Sequence, residues 1–401
     1  MTEPSYYDKV VFNLSILSNQ ASGNPGMTDQ ELEALIAANL TGPLADYAIV
    51  WGPHIVHDPL NGKAINTMYV AQEKNTGNYF VLIAGTNPYS LFDWLWEDGF
   101  VSYQIPWVYA PLSGGKIAVG TTTGLVILQN MQPDSGVPGS GTTLWDFLKG
   151  LTGSPIHVTV SGHSLGGALS ATVALWLQDT QLFWDPDSNA TVNTMPTAGP
   201  TAGNGQFAAH SNAQLPNAAL PSNSPASFRY ANSIDLVPHA WNEATLEAAK
   251  TLYAPQIPEN ALVDKAIDLA QYLARNGDYT QLTPADPPFV GTVDESIINP
   301  ADPTFVNYLM QAAHQHVNAY DDYFSLGLDT AIPRPEKLLI SPKLQTLLQD
   351  SNLELGDAFE VSETSLSQTL EALALGGKQS ADDASRTDAL IAELKKFGGG
   401  S

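Results

Sequence analysis

Gly162-His163-Ser164-Leu165-Gly166 sets a serine between two glycines, in the pattern G-x-S-x-G. The chemistry it could do is nucleophilic attack on an acyl carbon. For that, the hydroxyl must stand clear of the backbone on a sharp turn from strand to helix. A side chain at either glycine would strike the neighbouring strand or helix. The pattern by itself is loose in a chain with 32 glycines, and a glycine-rich turn without catalysis would share it. Context gives it weight. Residues 157–161 are a compact β-rich run, and residues 168–177 carry helical periodicity behind Gly166 and Gly167.

A serine hydroxyl is a weak nucleophile at neutral pH, so a base and an orienting acid must accompany it. On elbows of this type the acid, then the histidine, follow the serine along the chain. Asp235 lies just past the β-rich residues 227–231, and the carboxyl end of a sheet strand is where such an acid belongs. An isolated aspartate in a loop is otherwise a solvated surface charge. His210 precedes Asp235, which leaves His239, His314 and His316 as candidate bases. His239 is only four residues past Asp235 and reads as a structural neighbour. His314 and His316 are two residues apart. On a helix they point about 200° apart, so only one can face Ser164.

Composition narrows the rest. The chain has 401 residues, enough for a large core. Lys and Arg total 16 against 41 Asp and Glu, a formal charge of −25. A chain so acidic is repelled by phosphate backbones, which excludes nucleic acid, and it suits a neutral oil or polyester surface better than an anionic bilayer. With no cysteines, disulfides, thiol nucleophiles and cysteine-held metals are excluded. The pairs His54/His57 and His314/His316 lack the H-E-x-x-H frame of a metallohydrolase, so no metal or other cofactor is expected. No apolar stretch reaches the roughly 20 residues of a membrane span. The N-terminus shows neither a basic leader nor a long apolar run, and the compartment stays open.

The elements that must position these groups can be read in outline. Residues 10–17 read as the start of a packed helix. Thr28-Asp29-Gln30-Glu31 is a capping box ahead of a helix with Leu32, Leu35, Ile36 and Leu40 on its apolar face. Residues 67–72 and 79–84 are strands around a turn at 75–77. Residues 89–107 are crowded with aromatics, residues 133–141 form a loop, and residues 144–151 a short helix. Strands at 191–197 and 227–231 alternate with helices, which predicts an α/β fold with a mostly parallel central sheet flanked by helices. Residues 243–275 read as helical and 284–303 as an acidic, proline-rich loop. The expected plan is a catalytic α/β domain over 1–334, a helical extension over 335–397, and a linker remnant at 398–401.

Several segments together resemble the class 3, or fungal-type, triacylglycerol lipases, which have the α/β-hydrolase fold. Residues 158–169, VTVSGHSLGGAL, match that family's nucleophile segment. Residues 197–204, TAGPTAGN, are similar to its next strand and loop, and residues 228–238, FRYANSIDLVP, to its acid segment. Gly85-Thr86 resembles the oxyanion segment, Asp93-Trp94 to Glu97-Asp98 the start of the lid, and His316 to Tyr320 the histidine segment. The resemblance implies Ser164 as nucleophile, Asp235 as acid and His316 as base. It implies Thr86 and the Leu165 backbone as oxyanion donors, and Phe92, Trp94, Leu95 and Trp96 as lid residues in contact with substrate. Trp107 ends the same aromatic stretch, which could equally be packed core. The sequence departs from the family at Ala84, where an arginine is usual, at Ala198 and Thr201, and in the long helical stretch between acid and base. The implied substrate is an acyl ester, foremost an acylglycerol at a lipid surface. A polyester or short-chain esterase and a phospholipase would use the same triad, and an idle lipid-binding module is the alternative from outside enzymology.

Overall fold

A computed structural model describes residues 3–59, 61–85, 101–215, 227–282, 289–302 and 304–328. Its strands are β1 (Tyr47–His57), β2 (Ala64–Glu73), β3 (Tyr79–Ile83), β4 (Gln104–Pro106), β5 (Lys116–Ala118), β6 (Ile156–His163) and β7 (Ala190–Thr197). The central sheet has the order β1-β2-β3-β6-β7, and β4 and β5 form a separate ribbon. Pairing is antiparallel for β1/β2 and β2/β3 and parallel for β3/β6 and β6/β7. So β2 alone opposes the other four strands, and the carboxyl ends of β3, β6 and β7 meet at one edge. Nearly every residue of β6 is buried, as befits a parallel strand covered on both faces.

The expected strand at residues 227–231 is a looser pairing. Phe228 and Tyr230 donate backbone N–H bonds to Thr194 and Pro196 at 3.0 and 2.9 Å, with one bridge, Thr197 to Tyr230. β1 escaped the sequence reading because Gly52-Pro53 interrupts it. Proline withholds an N–H from the ladder, and the register shifts on either side of that pair.

The helices among the described residues are α1 (Tyr6–Leu17), α2 (Asp29–Asn39), α3 (Val119–Asn130), α4 (Leu144–Lys149), α5 (Leu165–Asp179), α6 (Gln181–Trp184), α7 (Gly205–Gln214), α8 (Glu243–Ala249), α9 (Ala261–Ala274), α10 (Thr304–His316) and α11 (Asn318–Tyr323). The capping box at Thr28 and Glu31 forms as expected. α1 begins earlier than its apolar run, because Ser5 and Asp8 form a second capping box. The helical stretch expected over 243–275 is two helices, since Pro255 and Pro258 fall between them and cannot continue a helix. α3 has weak helix formers, three threonines and two glycines. Packing holds it: a Cβ at Gly124 would fall 2.7 Å from Leu169 Cδ2, so α3 and α5 touch where the side chain is absent.

Two apolar layers sandwich the sheet. One joins β6 to α3, α4 and α5, and the other joins β2 and β3 to α1 and α11. A third cluster packs α8, α9 and α10 together. Among the described residues no helix is long and apolar enough to cross a membrane. The extension expected over 335–397 lies outside the described residues.

Candidate active site

Ser164 stands at the junction of β6 and α5 with φ 63° and ψ −127°. A side chain is strained in that region of backbone space, which persists only where the surroundings enforce it. They do so here. A Cβ on Gly162 would lie 2.4 Å from the Gly166 carbonyl oxygen and 2.6 Å from that of Ile83. On Gly166 it would lie 2.4 Å from the Ile83 oxygen. The crowding continues past the motif: a Cβ on Gly167 would sit 2.5 Å from the Thr197 oxygen. Ser164 N–H donates to Thr197 O at 3.0 Å. Leu165 is the first residue of α5, where unpaired N–H groups and the helix dipole favour an anion.

Asp235 is fully buried. Its carboxylate accepts the Val237 N–H at 3.0 Å and lies 3.0 and 2.9 Å from Nδ1 of His316. A carboxylate can only accept, so Nδ1 carries the proton and Nε2 of the neutral ring is the basic nitrogen. That Nε2 is buried and has no hydrogen-bond partner. The acid loop is fastened to α11 and to the base helix α10 beside this contact. Asn232 donates its backbone N–H to the Tyr320 hydroxyl at 2.8 Å and its side-chain amide to Gln315 Oε1 at 2.7 Å.

The structure therefore brings Asp235 and His316 into direct contact, while Ser164 and His316 share no hydrogen bond. A residue that motif reading passes over joins them. His163, the variable position of G-x-S-x-G, lies 2.9 Å through Nε2 from the backbone oxygen of His316. Its ring packs 4.8 Å from the His316 ring, centroid to centroid. A carbonyl only accepts, so Nε2 of His163 is protonated and the elbow is latched to the end of α10. The signal that could have found it was a histidine adjoining the nucleophile at the end of a buried strand.

His314 faces elsewhere, with Nε2 3.7 Å from Asp294 Oδ2. His239 bonds the Thr245 carbonyl at 3.0 Å, in keeping with its reading as a structural neighbour. His210 pairs with Asp179 at 2.9 Å. Thr86, Phe92, Trp94, Leu95 and Trp96 lie outside the described residues. The chain leading into Thr86 is described: a Cβ on Gly85 would sit 2.6 Å from the His163 oxygen and 3.1 Å from Ser164 Cβ. Trp107 is core, 1% exposed, and donates Nε1–H to Asp179 Oδ2 at 2.6 Å. The substrate-contacting reading of the aromatic stretch thus does not extend to it.

Asp29, His54 and Asp134 approach one another closely enough to hold an ion. The Asp29 oxygens are already engaged by Ile55 N–H, Asp134 N–H and His54 Nδ1 at 2.9, 2.9 and 2.7 Å. The cluster ties α2 to β1 and to the loop before α4.

Burial holds the His163 pKa well below the ordinary histidine value, helped by the repulsion two protonated rings would feel beside His316 and opposed by the bond to the His316 carbonyl. Below about pH 6.5 an unfolded chain takes up a proton at this position that the folded chain refuses. Stability then falls as pH drops, by at most about 1.4 kcal/mol per pH unit from this residue. His163→Gln keeps an N–H donor and cannot titrate. Urea unfolding at pH 7, 6 and 5 should show the variant losing less stability on acidification than the wild type. Equal losses would mean that His163 titrates alike in both states.

Comparison with known proteins bears on the fold and the family. The family model for lipase (class 3) matches residues 143–244. The crystal structure of M37 lipase superposes with a TM-score of 0.71 at 32% identity, over 81% of this chain and 94% of that one. The chain belongs to the class 3 lipase family. Lipase II from Rhizopus niveus aligns with a TM-score of 0.39 at 18% identity, over 60% of this chain and 75% of that one. A lipase from Rhizopus microsporus var. chinensis gives 0.37 at 17%, over 61% and 72%. None of the curated proteins matches the chain. As a class 3 lipase it is a carboxylic ester hydrolase with the α/β-hydrolase fold. Its Ala84, where the family usually carries arginine, is 2% exposed and donates its N–H to Thr67 O at 2.9 Å.

Proposed function

We infer that this class 3 lipase hydrolyses acylglycerols at a lipid–water interface through Ser164, His316 and Asp235. The observation that carries the reading is the free, buried Nε2 of His316, whose other nitrogen is held by a buried carboxylate. In the reaction, Ser164 Oγ attacks the ester carbonyl carbon and passes its proton to Nε2. Asp235 stabilises the imidazolium and fixes its tautomer. The oxyanion forms against the Leu165 N–H at the start of α5, with Thr86 as the second donor. The imidazolium then protonates the departing alkoxide as the C–O bond breaks, leaving an acyl-enzyme. Water, deprotonated by the same nitrogen, releases the fatty acid and regenerates Ser164. The residues of this chain provide base, acid and charge stabilisation, so no cofactor is invoked.

Interfacial action rests on the sequence, where Phe92, Trp94, Leu95 and Trp96 stand beside the acidic Asp93, Glu97 and Asp98. Placing one large aromatic in lipid contributes about 1.5–3 kcal/mol. Replacing Phe92, Trp94 or Trp96 with serine should lower turnover of emulsified long-chain triglyceride about tenfold or more. Hydrolysis of a soluble short-chain nitrophenyl ester should stay within about twofold. Equal losses on both substrates would favour a packed-core role for the segment and a polyester or short-chain esterase. We propose a catalytic domain over 1–334 and a helical extension over 335–397.

A further inference from the structure

The end of α1 reaches into the active site from the far side of the sequence. Past Leu17 the chain makes a short 3-10 turn, Ser18–Ala21, and its Asn19 is 4% exposed. Asn19 Oδ1 accepts the backbone N–H of Gly85 at 2.8 Å. The amide nitrogen faces the carbonyls of Ser15 and Ile16, each at 3.5 Å. The orientation of the amide therefore suits both of its ends.

The geometry explains why a side chain is needed here. Ala84 N–H donates to Thr67 O on the β2 side at 2.9 Å. The next N–H of an extended chain faces the opposite neighbour, β6. The β3/β6 ladder ends at Ile83 opposite Gly162, and the β6 chain then turns away at Ser164. Gly85 N–H would be left without a backbone acceptor in a buried place, which folded proteins rarely tolerate. Asn19 supplies the acceptor. Gly85 in turn packs close on the elbow: a Cβ built on it would lie 3.1 Å from Ser164 Cβ and 2.6 Å from the His163 oxygen.

We propose that Asn19 is a positioning residue for the nucleophile elbow: it fixes Gly85, at the end of β3, against His163 and Ser164, so that the Ser164 hydroxyl and the Leu165 N–H are preorganised for the tetrahedral intermediate. This rests on the reading of Ser164 as nucleophile. Asn19 touches neither substrate nor reacting atoms, and its effect passes through the Gly85 amide. Oxyanion donors act only when the charge develops, so a misplaced donor lowers kcat and leaves KM nearly unchanged.

The test uses the full chain and a soluble short-chain nitrophenyl ester. Asn19→Leu, with the same γ-branched shape, removes the acceptor while filling the space, and Asn19→Ala removes it outright. Each should lower kcat about 10- to 100-fold with KM within about twofold. The inhibition constant of an aryl boronic acid, whose serine adduct is a tetrahedral anion, should rise in the same proportion as kcat falls. A folded Asn19 variant with wild-type kcat and boronate affinity overturns the inference. So does rapid hydrogen exchange at the Gly85 amide of the wild type, a measurement that needs no variant to fold. Loss of turnover in Ser164→Ala beside normal turnover in Asn19→Leu overturns this inference alone. Full turnover in Ser164→Ala overturns both it and the nucleophile assignment.

Discussion

Ser164→Ala is expected to lower ester turnover by about 10⁴-fold or more, because nucleophile and base act as one unit and neither works without the other. The fold should survive, since the change removes one atom from a side chain that makes no cap bond to α5. What alanine keeps is the strain. Its φ must remain near the 63° of the native serine, a region that costs a side chain about 1–3 kcal/mol. Glycine at the same position pays no such penalty. Ser164→Gly should therefore be as inactive as Ser164→Ala and unfold at a higher temperature. That pairing separates chemistry from architecture. Strain at the elbow exposes the hydroxyl, and a protein relieved of it trades activity for stability. Labelling by a fluorophosphonate probe should vanish in both variants. A variant that keeps a tenth of wild-type turnover with normal stability would remove Ser164 from the mechanism.

The parts of the site legible in the sequence are those whose constraints are local. Two glycines two residues either side of a serine, after a β run and before a helix, state the elbow because its sterics lie within five residues. The antiparallel pair β2 and β3 was legible for the same reason, its turn being short. Fold class followed from strands and helices alternating. What stayed hidden depends on contacts distant along the chain. His163 meets the His316 carbonyl across 153 residues, and Asn19 meets Gly85 across 66. Neither leaves a pattern at fixed spacing, because the partner is a backbone atom that any residue could supply. Gly167 reads as a helix-entry glycine, yet its bareness answers to the carbonyl of Thr197 on the neighbouring strand. β1 was hidden by a different cause: its Gly52-Pro53 step looks like a strand break, and the sheet absorbs it as a register shift.

The two histidines at the end of α10 make the sharpest test of the base. His316 is 1% exposed and bonded to Asp235, whereas His314 is half-buried, 3.7 Å from Asp294 at the loop before α10. Rotation of about 200° between them on the helix places them in different surroundings. His316→Ala should reduce turnover of a soluble short-chain ester by about 10⁴-fold, and His314→Ala should stay within about threefold. Stability must be followed alongside, because His316→Ala also strips the buried Asp235 carboxylate of its contact with Nδ1, leaving it the Val237 N–H and the neighbouring Tyr320 hydroxyl. Losing one partner of a buried charge typically costs a few kcal/mol, so rates are to be compared well below the melting temperature of the variant. The double variant Ser164→Ala, His316→Ala adds a check that unfolding cannot imitate. If the two residues work as one unit, its residual turnover should match that of either single variant, with no multiplication of the two losses. A dead His314→Ala beside an active His316→Ala would move the base to His314 and leave the Asp235–His316 pair with a structural role.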